Sequence, residues 1–316
     1  MKFWFISASP FGLTNIFNHR KFAVLLLIGA SFASAQDVTL NCVFNLNWLN
    51  EYQCTLIDIE VLDPTANVSV TGVHLEGRNN SGVEVVRIER SNTTFIIRQL
   101  FETFPNMLEI AILNTNLETI RIPDSDHLQT IYITGTNVRR LDSDSFGNLP
   151  RLIFLRLHQN PIEEIDDDAL VRLGSITYLG FINNNIRQIN SRTFRSLVNL
   201  NTLDLERNSL TSIGDDVFAS NQALRSLYLE FNQISAISPT FSRNLRSSLV
   251  YVNLSGNQCA TRIFSLYDDF DWTIFNTVMQ DCFRNFVGHD QPQRVSFEFV
   301  GTLTIVDQFG NVVATI

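Results

Sequence analysis

Lysine is almost missing from this chain of 316 residues: only Lys2 and Lys21 occur, and every basic residue after them is arginine. Basic residues number 23 against 32 acidic ones, a net charge of −9. That balance argues against nucleic acid as a partner and against electrostatic docking on anionic lipid. Cysteines number four and show no metal-ligand spacing. His74, His127, His158 and His289 are scattered, with no H-x-x-x-H. G-x-S-x-G and a phosphate-binding glycine loop are both missing. The sequence therefore points to no enzyme, no cofactor and no metal. Long apolar runs are missing as well. Phe22–Gly29 is shorter than the ~20 residues that span a bilayer, and no membrane span is expected.

That short run has a use. Arg20 and Lys21 precede it, and Ala33-Ser34-Ala35 forms a small-residue cleavage site, so residues 1–35 read as an export signal. Its removal takes Lys2, Arg20 and Lys21 and no acids, leaving 20 basic and 32 acidic residues, a net of −12. The four cysteines, Cys42, Cys54, Cys259 and Cys282, form an even set in an exported chain, which implies disulfides. The expected location is secreted and extracellular. Four N-x-S/T sequons, at Asn67, Asn79, Asn92 and Asn253, are glycosylation candidates. The first three cluster near the N-terminus. A sequon in a tight strand, as at Asn253, can also stay bare.

What is abundant is one phrase, said five times. It reads L-I-F-L-R-L-H-Q-N-P-I from Leu152 and returns at Ile176, Leu200, Leu224 and Leu249. The step is 24 residues three times and then 25. A period in the twenties carrying L-x-x-L-x-L-x-x-N-x-L is the mark of a leucine-rich-repeat solenoid, an α/β architecture with a curved parallel sheet. Phrase positions 1, 4, 6 and 11 point inward. Positions 4 and 6 share one strand face, because side chains alternate along a strand. The asparagine at position 9 (Asn160, Asn184, Asn208, Asn232, Asn257) turns into the core, where its amide can satisfy backbone groups of adjacent turns. Phe146, Leu170, Phe194, Phe218 and Phe241 mark the return segments and should stack beneath the convex side. No repeat buries its own apolar face, so neighbours must stack.

Three weaker copies precede these. Val83-x-x-Val86-x-Ile88 has Ser91 at the asparagine position; the copies from Met107 and Leu128 have Thr115 and Thr136. A hydroxyl makes fewer bonds than an amide, so this half should be less regular. The copy from Met107 is only 21 residues long, with Pro123 in its return segment. The count is about eight repeats over residues 83–258. Residues 36–82 form an N-terminal cap, with short strands expected at Val68–Val70 and Val73–Leu75 and an alternating run from Tyr52 to Val61. Residues 259–290 form a C-terminal cap with a helix expected over Ile263–Asp281, its stripe made of Phe270, Ile274, Phe275, Val278 and Met279. Residues 291–316 alternate at Val295, Phe297, Phe299, Leu303 and Ile305, with a turn at Phe309–Val312. They read as a β-rich tail that could pack on the cap or self-associate through its edge. Their Asp, Gln, Gly and Asn exclude a membrane anchor. Eight strands ~4.8 Å apart put the solenoid ends tens of Å apart, while bridged Cα atoms lie within ~7 Å. The pairs are therefore Cys42–Cys54 and Cys259–Cys282, sealing the two caps, each contributing roughly 2–4 kcal/mol.

Positions 3, 5, 7 and 8 face the concave side or its rim. There the sequence sets aromatics and arginine among polar neighbours, as protein interfaces do. Tyr132, Phe154, Arg156, Tyr178 and Tyr228 form the candidate patch, with Asp204 on the same face and Arg207 and Phe231 at the rim. Position 7 adds His158, Glu206 and Glu230. Strand propensity alone also places aromatics on strands. His158 could approach Asp204 two repeats away, but a surface histidine is the simpler reading. The acidic run Glu163-Glu164-Ile165-Asp166-Asp167-Asp168 lacks the glycine and ligand spacing of a calcium loop and reads as a solvated return segment.

Tyr52-x-Cys54 with Asp58-Ile59, then Val70-x-Gly72-x-His74, then Phe101-x-x-Phe104-Pro105-Asn106-Met107 resembles secreted leucine-rich-repeat proteins of flies and mosquitoes, over about residues 42–282. The resemblance implies binding of other proteins in humoral immunity. Two departures weaken any transfer of a particular partner: no coiled-coil tail follows, and the C-terminal cap has two cysteines where animal adhesion receptors commonly have four. The expectation is a secreted, glycosylated, non-enzymatic module that binds an extracellular protein on its concave face. A microbial-surface glycan is the alternative ligand, and a matrix component assembling through residues 291–316 the third reading.

Overall fold

The computed structural model describes residues 37–245, 247–265 and 272–286, and the backbone of two further strands, Thr304–Val306 and Val312–Thr315. The export signal, Phe270 and the positions Val295, Phe297, Phe299, Leu303 and Phe309–Asn311 lie outside the described residues.

The N-terminal cap is built from β1 (Asp37–Asn41), β2 (Val43–Leu46), β3 (Tyr52–Ile57) and β4 (Asn67–Thr71). β1 runs parallel to β4, and β2 is antiparallel to β3. Tyr52, Cys54 and Leu56 are buried at alternate positions of β3, so its inner face starts the core. The expected strand at Val73–Leu75 does not form, and Val73 is exposed. Among the described residues no strand pairs with that segment; side chains hold it instead, with Tyr52 Oη bonding His74 and Leu75 N–H and the His74 ring stacked on Phe44.

Eight short strands follow in chain order along the concave side: β5 (Val85–Glu89), β6 (Glu109–Leu113), β7 (Thr130–Thr134), β8 (Phe154–Arg156), β9 (Tyr178–Gly180), β10 (Thr202–Asp204), β11 (Ser226–Tyr228) and β12 (Tyr251–Asn253). Each is parallel to the next, and seven steps join the eight. β3 pairs in parallel with β5, and β13 (Ile263–Ser265) closes the far edge antiparallel to β12. With β2 and β3 they make one sheet of eleven strands.

The asparagine ladder holds the turns together. Asn208 donates from Nδ2 to the carbonyls of Phe181 (2.8 Å) and Leu205 (3.1 Å), and its Oδ1 accepts from Ile186 N–H (3.1 Å). Asn184, Asn232 and Asn257 repeat that pattern on their own turns. The residue before each asparagine is left-handed: Gln159, Asn183, Arg207 and Phe231 have φ of 54° to 57°, and Gly256 has 73°. That twist swings the amide inward.

The weaker repeats are more regular in strand pairing than expected. β5, β6 and β7 run five residues each, while β8 to β12 run three. The amide explains the difference. Asn160 takes the carbonyl of Ile133, and each later asparagine takes the matching position-6 carbonyls, withdrawing them from the ladder. The short hydroxyls of Ser91 and Thr115 bond elsewhere, to Glu89 O and Leu117 N–H, and leave the ladder running.

Behind the sheet the return segments pack a ring column. Phe194 stacks on Phe218 at 6.2 Å, Phe218 meets Phe241 edge-on at 5.9 Å, and Phe241 stacks on Phe275 at 6.0 Å. Phe275 belongs to the C-terminal cap, so the column ends on it. That cap is not one helix from Ile263. It is β13, then α1 (Trp272–Val278) and α2 (Gln280–Asn285). Phe275, Met279 and Cys282 are buried, but Ile274 is exposed. The edge of β12 had open backbone groups, and the residues after Arg262 pair with it instead of coiling. Disulfides join Cys42 to Cys54 and Cys259 to Cys282. Thr304–Val306 and Val312–Thr315 pair antiparallel.

Changing Asn208 to Ala strands two carbonyls and one N–H in a dry core. The expected loss is about 2–4 kcal/mol, read from the shift of the urea midpoint with an unchanged slope.

Candidate functional site: the concave face

Parallel register brings the expected patch together. Phe154 on β8 lies beside Thr130 of β7 and Tyr178 of β9. The rings of Phe154 and Tyr178 stack at 4.1 Å with planes 4° apart, and Tyr132 packs on Phe154 at 5.6 Å. The Arg156 guanidinium sits over all three, 5.3 Å from Tyr132, 5.1 Å from Phe154 and 5.7 Å from Tyr178. All four side chains are half-buried, and Arg156 Nε has no hydrogen-bond partner among the described residues. The cation is held by ring faces, an attraction that strengthens as water is excluded. Gly180 makes this possible. A Cβ there would stand 2.9 Å from the Tyr178 hydroxyl and would run into His158 Nε2.

His158 does not meet Asp204. It lies beside Gly180, its Nε2 is buried without a partner, and burial with the Arg156 charge pushes its pKa down to about 4. A neutral ring in that position is a wall.

Tyr228 stands apart from the Phe154 stack and packs on Tyr251 at 4.9 Å. Asp204 pairs in register with Tyr228 and is 8% exposed. Burial, then the Glu206 charge, pushes its pKa up to about 6. Glu230 is also 8% exposed, and burial together with Glu206 and Asp204 raises it to about 7. Phe231 is half-exposed at the rim, held under the Arg207 guanidinium at 4.7 Å. Gly256 leaves room for it, since a Cβ there would come 2.8 Å from the ring.

Two features escaped the sequence reading. The β2–β3 hairpin overhangs the concave face with exposed Trp48 and Leu49, and its loop is braced by Asn47, whose Oδ1 accepts from Leu49 and Glu51 N–H and whose Nδ2 donates to Glu51 at 2.7 Å. Between hairpin and sheet lies a cleft of about 650 Å³, reaching from Trp48 past Arg87 and Glu109 to Tyr132 and Arg156. Burial, then Glu51, raises the Glu109 carboxyl. An apolar pair in a hairpin loop was the available signal. The second is Glu230, whose burial nothing in its polar context announces.

The acidic return segment is spent on arginine. Arg139 pairs with Glu163, Arg140 with Glu164 and Asp166, Arg192 with Asp167 and Arg195 with Asp168, all at 3.5 Å or less. Among the described residues no group of three His, Cys, Asp or Glu is placed to hold a metal ion, and no helix is long and apolar enough to cross a membrane. Asn67, Asn79 and Asn92 are exposed, while Asn253 is buried with its Oδ1 accepting from Ser255 N–H.

The family model described as leucine rich repeat matches residues 126–181, 155–210, 182–234 and 199–259. The fold is thus a leucine-rich-repeat solenoid. No curated protein sequence matches the chain. Solved structures with the same fold include Toll in the Toll–Spatzle complex, described as a molecular hub in Drosophila development and innate immunity (22% identity, TM-score 0.52, 60% of this chain and 27% of that one). The TLR13–ssRNA13 complex matches at 19% identity and a TM-score of 0.51, over 63% of this chain and 30% of that one. The APL1 leucine-rich repeat domain matches at 18% and 0.51, over 71% and 65%. The chain spans less than a third of the Toll and TLR13 chains and about two thirds of the APL1 domain.

Glu230 gives a pH test. A carboxyl whose folded pKa lies above its unfolded 4.5 binds more protons folded than unfolded between the two values. Its contribution to stability therefore falls as pH rises from about 4.5 through 7. Glu230→Gln should stabilise the fold at pH 8 by on the order of 1–2 kcal/mol, discounted because the face opens to water, with the gain vanishing near pH 4. Thermal unfolding of both proteins across that range measures it.

Proposed function

We propose that this leucine-rich-repeat solenoid is a secreted, non-enzymatic module that binds an extracellular protein on its concave face, in the setting of innate immunity. The observation that carries the reading is the ring cluster around Arg156. Three aromatic faces and a guanidinium whose Nε has no hydrogen-bond partner among the described residues are already ordered and partly desolvated. Pre-ordered aromatic and arginine anchors of this kind bind protein at low entropic cost. The cleft under the β2–β3 hairpin extends the surface, with Trp48 as a second anchor.

Secretion is supported by the apolar run behind Arg20 and Lys21, the Ala-x-Ala site, and two disulfides in the described residues. The exposed sequons Asn67, Asn79 and Asn92 would carry glycan. The immune setting is supported by the fold shared with Toll and APL1, and by the resemblance of residues 42–282 to secreted insect proteins. TLR13 was solved with single-stranded RNA. A net charge of −12 after export removes the electrostatic term that RNA binding depends on.

Affinity capture from the source animal's body fluid tests the reading, using a carboxyl-directed or photoreactive cross-linker because no lysine follows Lys21. A protein recovered in stoichiometric amount should be lost, by at least tenfold in affinity, in Arg156→Ala/Tyr178→Ala. Retention on microbial polysaccharide with no protein partner would replace this reading with glycan recognition. Assembly of the chain alone, abolished by deleting residues 291–316, would replace it with a matrix role.

A further inference from the structure

The concave face has a second half of opposite charge. Asp204 on β10 and Glu230 just past β11 sit on adjacent turns. Arg207 N–H bonds to the carbonyl of Glu230 at 3.0 Å, which places Glu206 and Glu230 side by side. Glu206 is already neutralised by Arg207 at 2.9 Å. Asp204 and Glu230 join no ion pair among the described residues. Each is more than nine-tenths buried; Asp204 Oδ1 accepts from Glu206 N–H at 3.1 Å, whereas Glu230 Oε2 has no hydrogen-bond partner among the described residues. A buried acceptor left unmatched is a cost that a fold seldom keeps without a ligand to meet it. The rings of Tyr228 and Tyr251, 4.9 Å apart, flank the same carboxylates, and charge coupling links both phenols to Asp204 and Glu230. The described residues hold no metal-ligand group, so a metal ion is a poor fit. Carboxylates between aromatic faces suit an organic cation.

We propose that Asp204, Glu230 and the rings of Tyr228 and Tyr251 form a subsite for the guanidinium or ammonium group of an arginine or lysine side chain on the protein ligand. The proposal rests on the concave-face reading and narrows its partner to one presenting a basic residue. Spacing favours a two-point ligand. An apolar or aromatic group lies on the Phe154–Tyr178 stack, and a basic group enters two strands further along. Arg156, on the far side of Tyr178, repels a cation placed too close to the stack.

Binding is pH-dependent. The charged and titratable groups facing the pair are Glu206, Arg207, Arg156, Tyr178, Tyr228 and Tyr251, and none of them supplies a free cation: Arg207 is spent on Glu206 and Arg156 is among rings. Burial keeps the Asp204 and Glu230 carboxyls protonated to about 6 and 7, so an entering cation displaces protons. Affinity rises from pH 5.5 to pH 8.

The test uses the full secreted chain and an N-acetylated, C-amidated hexapeptide of alternating arginine and glycine, with its citrulline counterpart as the neutral isostere. Titration calorimetry should show the arginine peptide binding at least tenfold more tightly than the citrulline one at pH 8. That preference should be lost in Asp204→Asn/Glu230→Gln, which removes buried charge without changing shape and so folds. The exposed charge-matched control Glu76→Gln/Asp126→Asn should retain it. Absence of binding to the native chain, equal binding to the Asp204/Glu230 variant, or an equal loss in the control would overturn the subsite. Any of those results, with protein capture still lost in Arg156→Ala/Tyr178→Ala, would leave the concave-face reading standing.

Discussion

Everything in this molecule depends on how a chain that turns back on itself every 24 residues satisfies the backbone groups it buries. The side-chain amide of asparagine is the device. It donates through two N–H groups while its carbonyl oxygen accepts, more bonds than a hydroxyl offers, and each copy ties its own turn to the turn before. The strands are consequently brief, because the amide takes carbonyls that a longer ladder would need. The left-handed residue before each asparagine is part of the same device. At Phe231 that backbone carries an aromatic ring, and the rim is arranged around it, with Arg207 above and a glycine where any Cβ would collide.

Most of the fold was legible because the phrase repeats in register. Five copies identify inward positions, asparagine ladder and phenylalanine column without any tertiary information. The disulfides followed from distance alone. What the phrase does not carry is the secondary structure of the two ends, which open edges and missing neighbours decide. Val73–Leu75 has the composition of a strand, and among the described residues no strand pairs with it. Ile263–Ser265 has helical spacing but lies next to the open edge of β12, and the edge decides. The five-residue ladders of β5 to β7 ran against expectation for a related reason. Ladder length is set by the carbonyls that a hydroxyl leaves free, and the bonds it fails to make do not shorten it.

The concave face was legible in position and not in electrostatics. Phrase position told which side chains face the same way, so Tyr132, Phe154, Arg156 and Tyr178 were expected together. Their neighbours' protonation was not visible, since burial on a curved sheet depends on ring packing two strands away. His158, Asp204 and Glu230 all have ordinary surface contexts in the sequence, and all three are drawn far from their ordinary pKa by desolvation. The face divides into a cationic aromatic half and an anionic one, with Tyr178 at the border.

The contacts between turns are nearly all one repeat apart. Asn160 meets Thr136, Arg139 meets Glu163, and Asn116 meets Asn92, each pair separated by 24 positions. A bond of that kind is indifferent to how many turns precede it. Adding or removing one 24-residue turn among the asparagine-bearing repeats would leave the asparagine rungs in register. The 21-residue step from Met107 and the 25-residue step from Leu224 are the exceptions, and each shifts the phase of the turns that follow it.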